Sequence, residues 1–292
     1  MSETRQRRFS KKVVVVTGAS SGIGAASARA FAAEGAAVAL AARTEDALED
    51  LAAEIRRTGG RAIAVPTDVS DARSALALLE RVANELGGID VLVNNAGANH
   101  RGPVEDRSFE ELSRMVAVNL MAPILLTRAA LPYLRRRGGG SIVNVASLAG
   151  RVPFPDEATY CATKFGLRAF SFALAEELAS TGIRVSVVSP GPVDAGFIMN
   201  DLDHVPDVVF SQPMSTAEEI AGLVLASALD GARERTPSQV SRIMTNAGYL
   251  FPALRHRMMP LLERMGRAAK ERYRIRDVTS LSQKQHSTTT GR

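Results

Sequence analysis

Short runs of consecutive apolar residues alternate along this chain with longer stretches in which apolar residues recur every three or four positions. The first run, Val13 to Val16, is four valines in a row, the mark of a strand buried on both faces. Runs at 36–42, 62–66, 90–93, 141–146 and 183–188 predict five more strands. Helices are predicted between them over 22–34, 45–57, 71–86, 108–137 and 157–180. In 71–86 the spacing is carried by Leu76, Leu79, Val82 and Leu86. Gly59-Gly60 and Gly87-Gly88 stop two helices, and Pro123 and Pro132 interrupt the long one. A helix over 216–229 follows, and Ser238 to Thr245 is the candidate for a last strand. Strand and helix in regular alternation predict an α/β fold, a doubly wound parallel sheet of about seven strands with helices on both faces.

Polar features gather where the predicted strands end, the edge at which such sheets bind ligands. After the valine run comes Thr17-Gly18-Ala19-Ser20-Ser21-Gly22-Ile23-Gly24. A glycine bend between a buried strand and a helix lets backbone N–H groups approach a ligand, and the helix N-terminus favours negative charge. The expected guest is the pyrophosphate of a dinucleotide; a tight turn without a ligand has the same composition. Asn94-Asn95-Ala96-Gly97 ends the fourth strand, Ser147 follows the fifth, and Pro190-Gly191 follows the sixth.

Composition narrows this picture. The chain has 292 residues, 46% of them hydrophobic, enough for one large domain or two small ones. No uninterrupted apolar run reaches the ~18 residues of a spanning helix. One cysteine, Cys161, leaves no internal disulfide framework and fits a reducing, cytoplasmic compartment. Four scattered histidines form no metal-ligand cluster. The net charge of +5 is uneven: residues 1–12 carry +4, residues 251–292 carry +7, and the body between them is acidic at −6. Basic ends of this kind are usually solvated tails, and no nucleic-acid partner is expected.

Taken in order and spacing, these motifs resemble those of the short-chain dehydrogenase/reductase family over about residues 10–230. The resemblance implies a Rossmann-like domain spanning 13–250, with a lid over 193–214. It implies a catalytic tetrad of Asn119, Ser147, Tyr160 and Lys164. Cofactor contacts are implied at Gly18, Ser20, Ser21, Gly22, Ile23, Gly24, Asp68, Val69, Asn95, Ala96, Gly97, Tyr160, Lys164, Pro190, Gly191 and Val193. In the family the lysine also holds the nicotinamide ribose, the asparagine helps relay protons through water, and the long helices pair to form dimers or tetramers. One position departs from the pattern: after Pro190-Gly191 the usual threonine is Ala195, so the nicotinamide carboxamide is left to backbone or to Asp194.

The residues carry their own chemical argument. Tyr160 and Lys164 are four apart and share one helix face. A phenol titrates near ~10, and a neighbouring ammonium lowers that value. Such a phenol can exchange a proton with a substrate oxygen, which Ser147 can also hydrogen-bond. At the end of the second strand a carboxylate would select NAD. This chain has Ala41-Ala42-Arg43 instead, and a guanidinium there suits the 2′-phosphate of NADP. NADP(H) is the expected cofactor, with NAD(H) also admissible. Cys161, about 100° round the helix from Tyr160, reads as an inert packed thiol.

The expected reaction moves a hydride between the nicotinamide and a ketone, aldehyde or secondary alcohol. Apolar residues in 193–214 suggest a lipophilic substrate, and packing on the domain explains them equally well. A nucleotide-sensing binding protein and a reductase of a carrier-bound acyl group are the alternatives. Residues 251–278 are expected to form a helical extension divided at Pro260, packed on its own domain or on a neighbouring subunit in preference to a membrane surface. Residues 1–12 and 279–292 are expected to be a mobile basic tail and a disordered tail.

Overall fold

The valine run becomes β1 (Val13–Thr17), and its alternation decides where the core lies. Val14 and Val16 point to one face of the sheet, and Val13 and Val15 to the other. A strand presents successive side chains to opposite faces, so a one-residue slip would exchange the two layers. The chain continues through α1 (Gly22–Ala33), β2 (Ala37–Ala42), α2 (Glu45–Arg57), β3 (Arg61–Pro66), α3 (Ala72–Leu86) and β4 (Val91–Asn94). Then come α4 (Phe109–Val116), α5 (Ala122–Arg136), β5 (Gly140–Val145), α6 (Ala158–Glu177) and β6 (Ile183–Val188). The last elements are α7 (Gly196–Met199), α8 (Ala217–Asp230), β7 (Glu234–Arg235), α9 (Gln239–Leu250) and α10 (Pro252–Thr289). This computed structural model describes residues 7–199 and 201–289, with side chains through residue 274.

All seven strands are parallel, in the order β3-β2-β1-β4-β5-β6-β7. Helices α1, α2 and α8 cover one face, and α3, α5 and α6 the other. The order reverses between β1 and β4, and their following loops part to leave a crevice there, the usual ligand position in such sheets.

Several expectations change. The strand expected at Ser238–Thr245 lies in α9, where Ser238 caps the backbone N–H of Ser241. The seventh strand is two residues, Glu234 and Arg235, paired with Val187 and Val188. No apolar alternation could mark it, because it is held by charge: Glu234 accepts from Arg168 (3.0 and 2.9 Å) and Ser189 (2.8 Å), and pairs with Arg151. Residues 7–12 of the expected tail are anchored, with Phe9 buried edge-on against Phe31; residues 1–6 and 290–292 lie outside the described residues. Helix α10 runs unbroken past Pro260 to Thr289, through much of the segment expected to be disordered. His256, whose carbonyl loses its helical partner at Pro260, is exposed, so water can take that bond. Finally, Phe109–Arg136 is one helical stretch apolar and long enough to span a membrane by composition, and half of its most apolar window is buried in this fold.

That long helix is interrupted by a π-helical turn, Ala117–Met121, between α4 and α5. Ser108 starts it with a capping box shared with Glu111. Pro123 has no N–H to return to the carbonyl of Asn119 four residues earlier. Turns of this kind often mark functional positions.

Candidate active site

A cavity of about 390 Å³ follows the C-terminal edge of the sheet from the glycine bend to α7. Its first wall is the bend itself. Gly18 and Gly22 adopt φ of +66° and +52°, where side chains are strained. A Cβ at Gly24 would overlap the Gly18 carbonyl, so this glycine sits behind the wall and lets α1 approach the bend. Thr17 ties the bend to the loop after β4. Its hydroxyl donates to the Val93 carbonyl (3.2 Å) and accepts from the N–H groups of Asn95 (3.0 Å) and Ala96 (3.1 Å). Asn95 returns its amide to the Thr17 carbonyl (2.9 Å). Asn94 faces away and donates to Asn144 (2.8 Å), which joins β4 to β5.

Of the residues expected from the sequence to meet a cofactor, all but Gly24 line this cavity. Arg43 is exposed at its mouth. Asp68 Oδ1 accepts from the hydroxyl (2.6 Å) and N–H (3.0 Å) of Ser70, while Oδ2 faces Arg114 at 3.5 Å. Burial would raise the Asp68 pKa, but Ser70, Arg114 and Arg43 outweigh it and hold the carboxyl low. It does not cap α3; Asp71 does, accepting from Arg73. Asp194 is exposed, lies outside the lining, and gives its N–H to Ser215 (2.9 Å). Pro190 and Gly191 do line the cavity.

Ser147, Tyr160 and Lys164 line the middle of the cavity together. Ser147 leaves β5 extended and accepts from the Ala149 N–H (3.1 Å). Tyr160 and Lys164 sit one turn apart on α6, and both are buried. Asn119 stands behind them, fully buried: it donates to the Ala98 carbonyl (2.8 Å) and Thr163 (3.2 Å) and accepts from the Ala98 N–H (2.8 Å). Its side chain is therefore spent on the loop after Gly97 and on Thr163 of α6.

Electrostatics run opposite to the simple expectation of an acidified phenol. Burial pushes the Tyr160 hydroxyl well above its ordinary value and the Glu157 carboxylate pushes it further; a hydrogen bond with Ser147 and the charge of Arg101 only partly offset this. Burial also brings Lys164 down to about 8. Its Nζ lies 5.6 Å from the centre of the Tyr160 ring and donates to the Val145 carbonyl (3.0 Å). Desolvation disfavours both charged forms, and it wins here because both groups are inside.

A polar cluster missed in the sequence closes the far end. Arg101 reaches Glu157 (3.1 Å), Asp201 (2.7 Å) and the Phe197 carbonyl (3.3 Å), and its guanidinium stands 5.5 Å from the centre of the Phe197 ring. Asn99 adds a hydrogen bond to Glu157 (3.1 Å). The one available signal was a carboxylate three residues before Tyr160, and nothing local pairs it with Arg101. The four residues 99, 101, 157 and 197 line the cavity with Phe154, Ile198, Val205 and Val209.

The sequence profile of the family described as short chain dehydrogenase matches residues 12–205. This chain belongs to the short-chain dehydrogenases. It is therefore an oxidoreductase of that family. This short-chain dehydrogenase is 40% identical over 208 residues to a 2,5-dichloro-2,5-cyclohexadiene-1,4-diol dehydrogenase of Sphingobium indicum, covering 71% of this chain and 82% of the relative. It is 38% identical over 229 residues to the cis-4-hydroxycyclohexanecarboxylate dehydrogenase of Sinomonas cyclohexanicum, covering 77% and 92%. In three dimensions it resembles a short chain dehydrogenase from Burkholderia cenocepacia solved in complex with NADP, with a TM-score of 0.72, 32% identity and coverage of 78% and 97%.

Proposed function

We propose that this enzyme is an NADP(H)-dependent oxidoreductase acting on a lipophilic ketone, aldehyde or secondary alcohol through Ser147, Tyr160 and Lys164. One observation carries this reading. The three side chains line the same cavity as the glycine bend and Arg43, with apolar lid residues over the remaining space. The bend fits a dinucleotide: Gly18 and Gly22 take positive φ that residues with side chains rarely adopt, and the α1 N-terminus lies beside Ser20 and Ser21. Arg43 is placed to form a charge-assisted fork on a 2′-phosphate. The NADP complex of the structural relative supports the same preference. When bound, the nicotinamide supplies or accepts the hydride.

The chain's own residues do the rest. Ser147 hydrogen-bonds the substrate oxygen and orients it. Tyr160, held protonated by burial, gives its proton to a carbonyl oxygen as that oxygen gains charge, and takes one back in the reverse direction. Lys164, which burial brings down to about 8, resupplies that proton, and Asn119 holds the loop after Gly97 against α6 beside it. Phe154, Phe197, Ile198 and Val205 give the substrate end an apolar wall beside the polar cluster of Asn99, Arg101 and Glu157. By their names, both relatives described above act on alcohols of six-membered rings, which supports a cyclic secondary alcohol or ketone. The buried free Cys161 supports a reducing cytoplasm. Exposed Phe109, Val116, Met121 and Leu125 on the long helix support a homo-oligomer.

The test is an NADPH and NADH oxidation screen over chemically diverse carbonyls, with Tyr160→Phe alongside. Turnover of at least one carbonyl class is expected, falling by about 10²-fold or more in the variant while NADPH binding persists. Unchanged turnover in the variant would overturn the assignment of the proton donor. Saturable NADPH binding without turnover on any carbonyl would favour a sensing role.

A further inference from the structure

Helix α10 has two working faces. One is packed on the lid. Lys270 is buried and donates to the carbonyls of Val205 (2.7 Å) and Asp203 (3.2 Å). A Cβ at Gly266 would overlap the Asp207 carbonyl, so the helix lies directly on the lid backbone. Tyr273 stacks near Phe210 at 6.1 Å, and Arg267 reaches Asp207 at 3.0 Å. The expectation that the extension packs on its own domain holds for this face.

The other face is left open. Phe251, Leu254, Met258, Leu261 and Met265 follow at alternating intervals of three and four, which places them in one stripe. Each is between 39% and 60% exposed, and Val240, Ile243 and Leu250 of α9 are 64–69% exposed. Scattered exposed apolar residues are ordinary, but a continuous stripe is a contact surface. Arg257 and Arg264, seven residues apart and both exposed, form a row beside it. Of the eight Lys/Arg in residues 239–274, Arg267, Lys270 and Arg274 pair with Asp207 and Asp203 of the lid, which leaves five against two Glu.

We propose that this face of α9 and α10 docks on an anionic membrane surface. An apolar stripe flanked by arginines matches the acyl–headgroup boundary: the apolar side chains enter it, and the guanidinium groups reach back to lipid phosphates and carboxylates. A second copy laid stripe on stripe would bring two like-charged arginine rows together, so charge favours the lipid. Because the same helix holds the lid, docking would tie the lid end of the cavity to the bilayer, where a lipophilic substrate concentrates. The docking itself is independent of any reaction.

Flotation of the full chain with phosphatidylcholine vesicles, with and without phosphatidylserine, reads the proposal directly. Binding is expected to the anionic vesicles, weaker by about tenfold or more without phosphatidylserine or at high salt. The double variant Leu254→Glu/Leu261→Glu should lose it to a similar extent. NADPH affinity and thermal midpoint of that variant should stay unchanged, which separates lost docking from lost folding. Failure of the wild type to float with anionic vesicles at low salt overturns the proposal. So does a wild-type oligomer that the double variant dissociates, since the stripe would then be a self-interface.

Discussion

Arg101 Nε and Glu157 Oε1 stand 3.1 Å apart with side chains only 5% and 6% exposed, and this buried pair joins the start of the Tyr160 helix to the lid. Burial raises the Glu157 pKa, and Arg101 and Asn99 work against that rise. Their opposition keeps a carboxylate tolerable beside Tyr160. Asp201 and the Phe197 carbonyl complete the brace.

Removing one partner should cost more than removing both. Arg101→Met leaves Glu157 buried without its cation and with only the Asn99 hydrogen bond, with an expected loss of about 3 kcal/mol in denaturant unfolding. Arg101→Met/Glu157→Gln should recover most of it. In the single variant, KM for the carbonyl should rise as Phe197 loses its brace, while the Kd for NADPH stays within about twofold. Equal destabilisation by the single and double variants would show that the pair is not coupled.

Lys164 should weaken the fold at neutral pH. Its folded pKa of about 8 lies below the unfolded value of ~10.4, so the folded form binds fewer protons between these values and stability rises with pH across that window. Below the window the buried charge is a full penalty. Lys164→Met should therefore be more stable than wild type by about 2 kcal/mol near pH 7, after allowing for the lost bond to Val145. The gap should close towards pH 10, and catalysis should be lost throughout. Chemical denaturation at several pH values checks the sign.

The role proposed for Arg43 is to select the cofactor at its phosphate end. Arg43→Ala should raise the Kd for NADPH by about ten- to a hundredfold, the worth of one charged hydrogen bond. The Kd for NADH should hardly move. Fluorescence titration of both nucleotides measures the ratio, and parallel losses for the two would assign Arg43 to adenine stacking.

Glu234 gives acid sensitivity to the sheet edge. Burial alone would raise its pKa, but Arg168, Arg151 and Ser189 outweigh burial and hold it low. A depressed carboxylate stabilises the fold above its unfolded pKa, near ~4.3, and that contribution fades as pH falls through the folded value. Glu234→Gln should cost about 3 kcal/mol at pH 7. The difference from wild type should shrink below about pH 4. A cost that stays constant with pH would attribute the effect to packing.

Much of this protein could be read from local pattern. The valines of β1 announce a buried strand, the bend from Gly18 to Gly24 follows within eight residues, and Tyr160 with Lys164 lies on one turn of helix. Each is determined by neighbours in sequence, through strand alternation, glycine's access to positive φ, or the helical repeat. The six longer strands and the crevice follow from the alternation of strand and helix. What failed to show was what charge or distance decides. β7 is two polar residues held by Arg151, Arg168 and Ser189, so hydrophobicity could not find it.

Tertiary structure alone decided the rest. Arg101 meets Glu157 across 56 positions and Lys270 meets Val205 across 65, and no local periodicity carries such pairings. The amide of Asn119 turns to Ala98 and Thr163 because the π-helical turn and the loop after Gly97 meet there. Tyr160 and Lys164 were legible as a pair, yet whether the ammonium or burial sets their protonation depends on depth within the fold. Sequence determined which groups could react; enclosure by distant segments decided their charge, because desolvation is a property of everything that surrounds an atom.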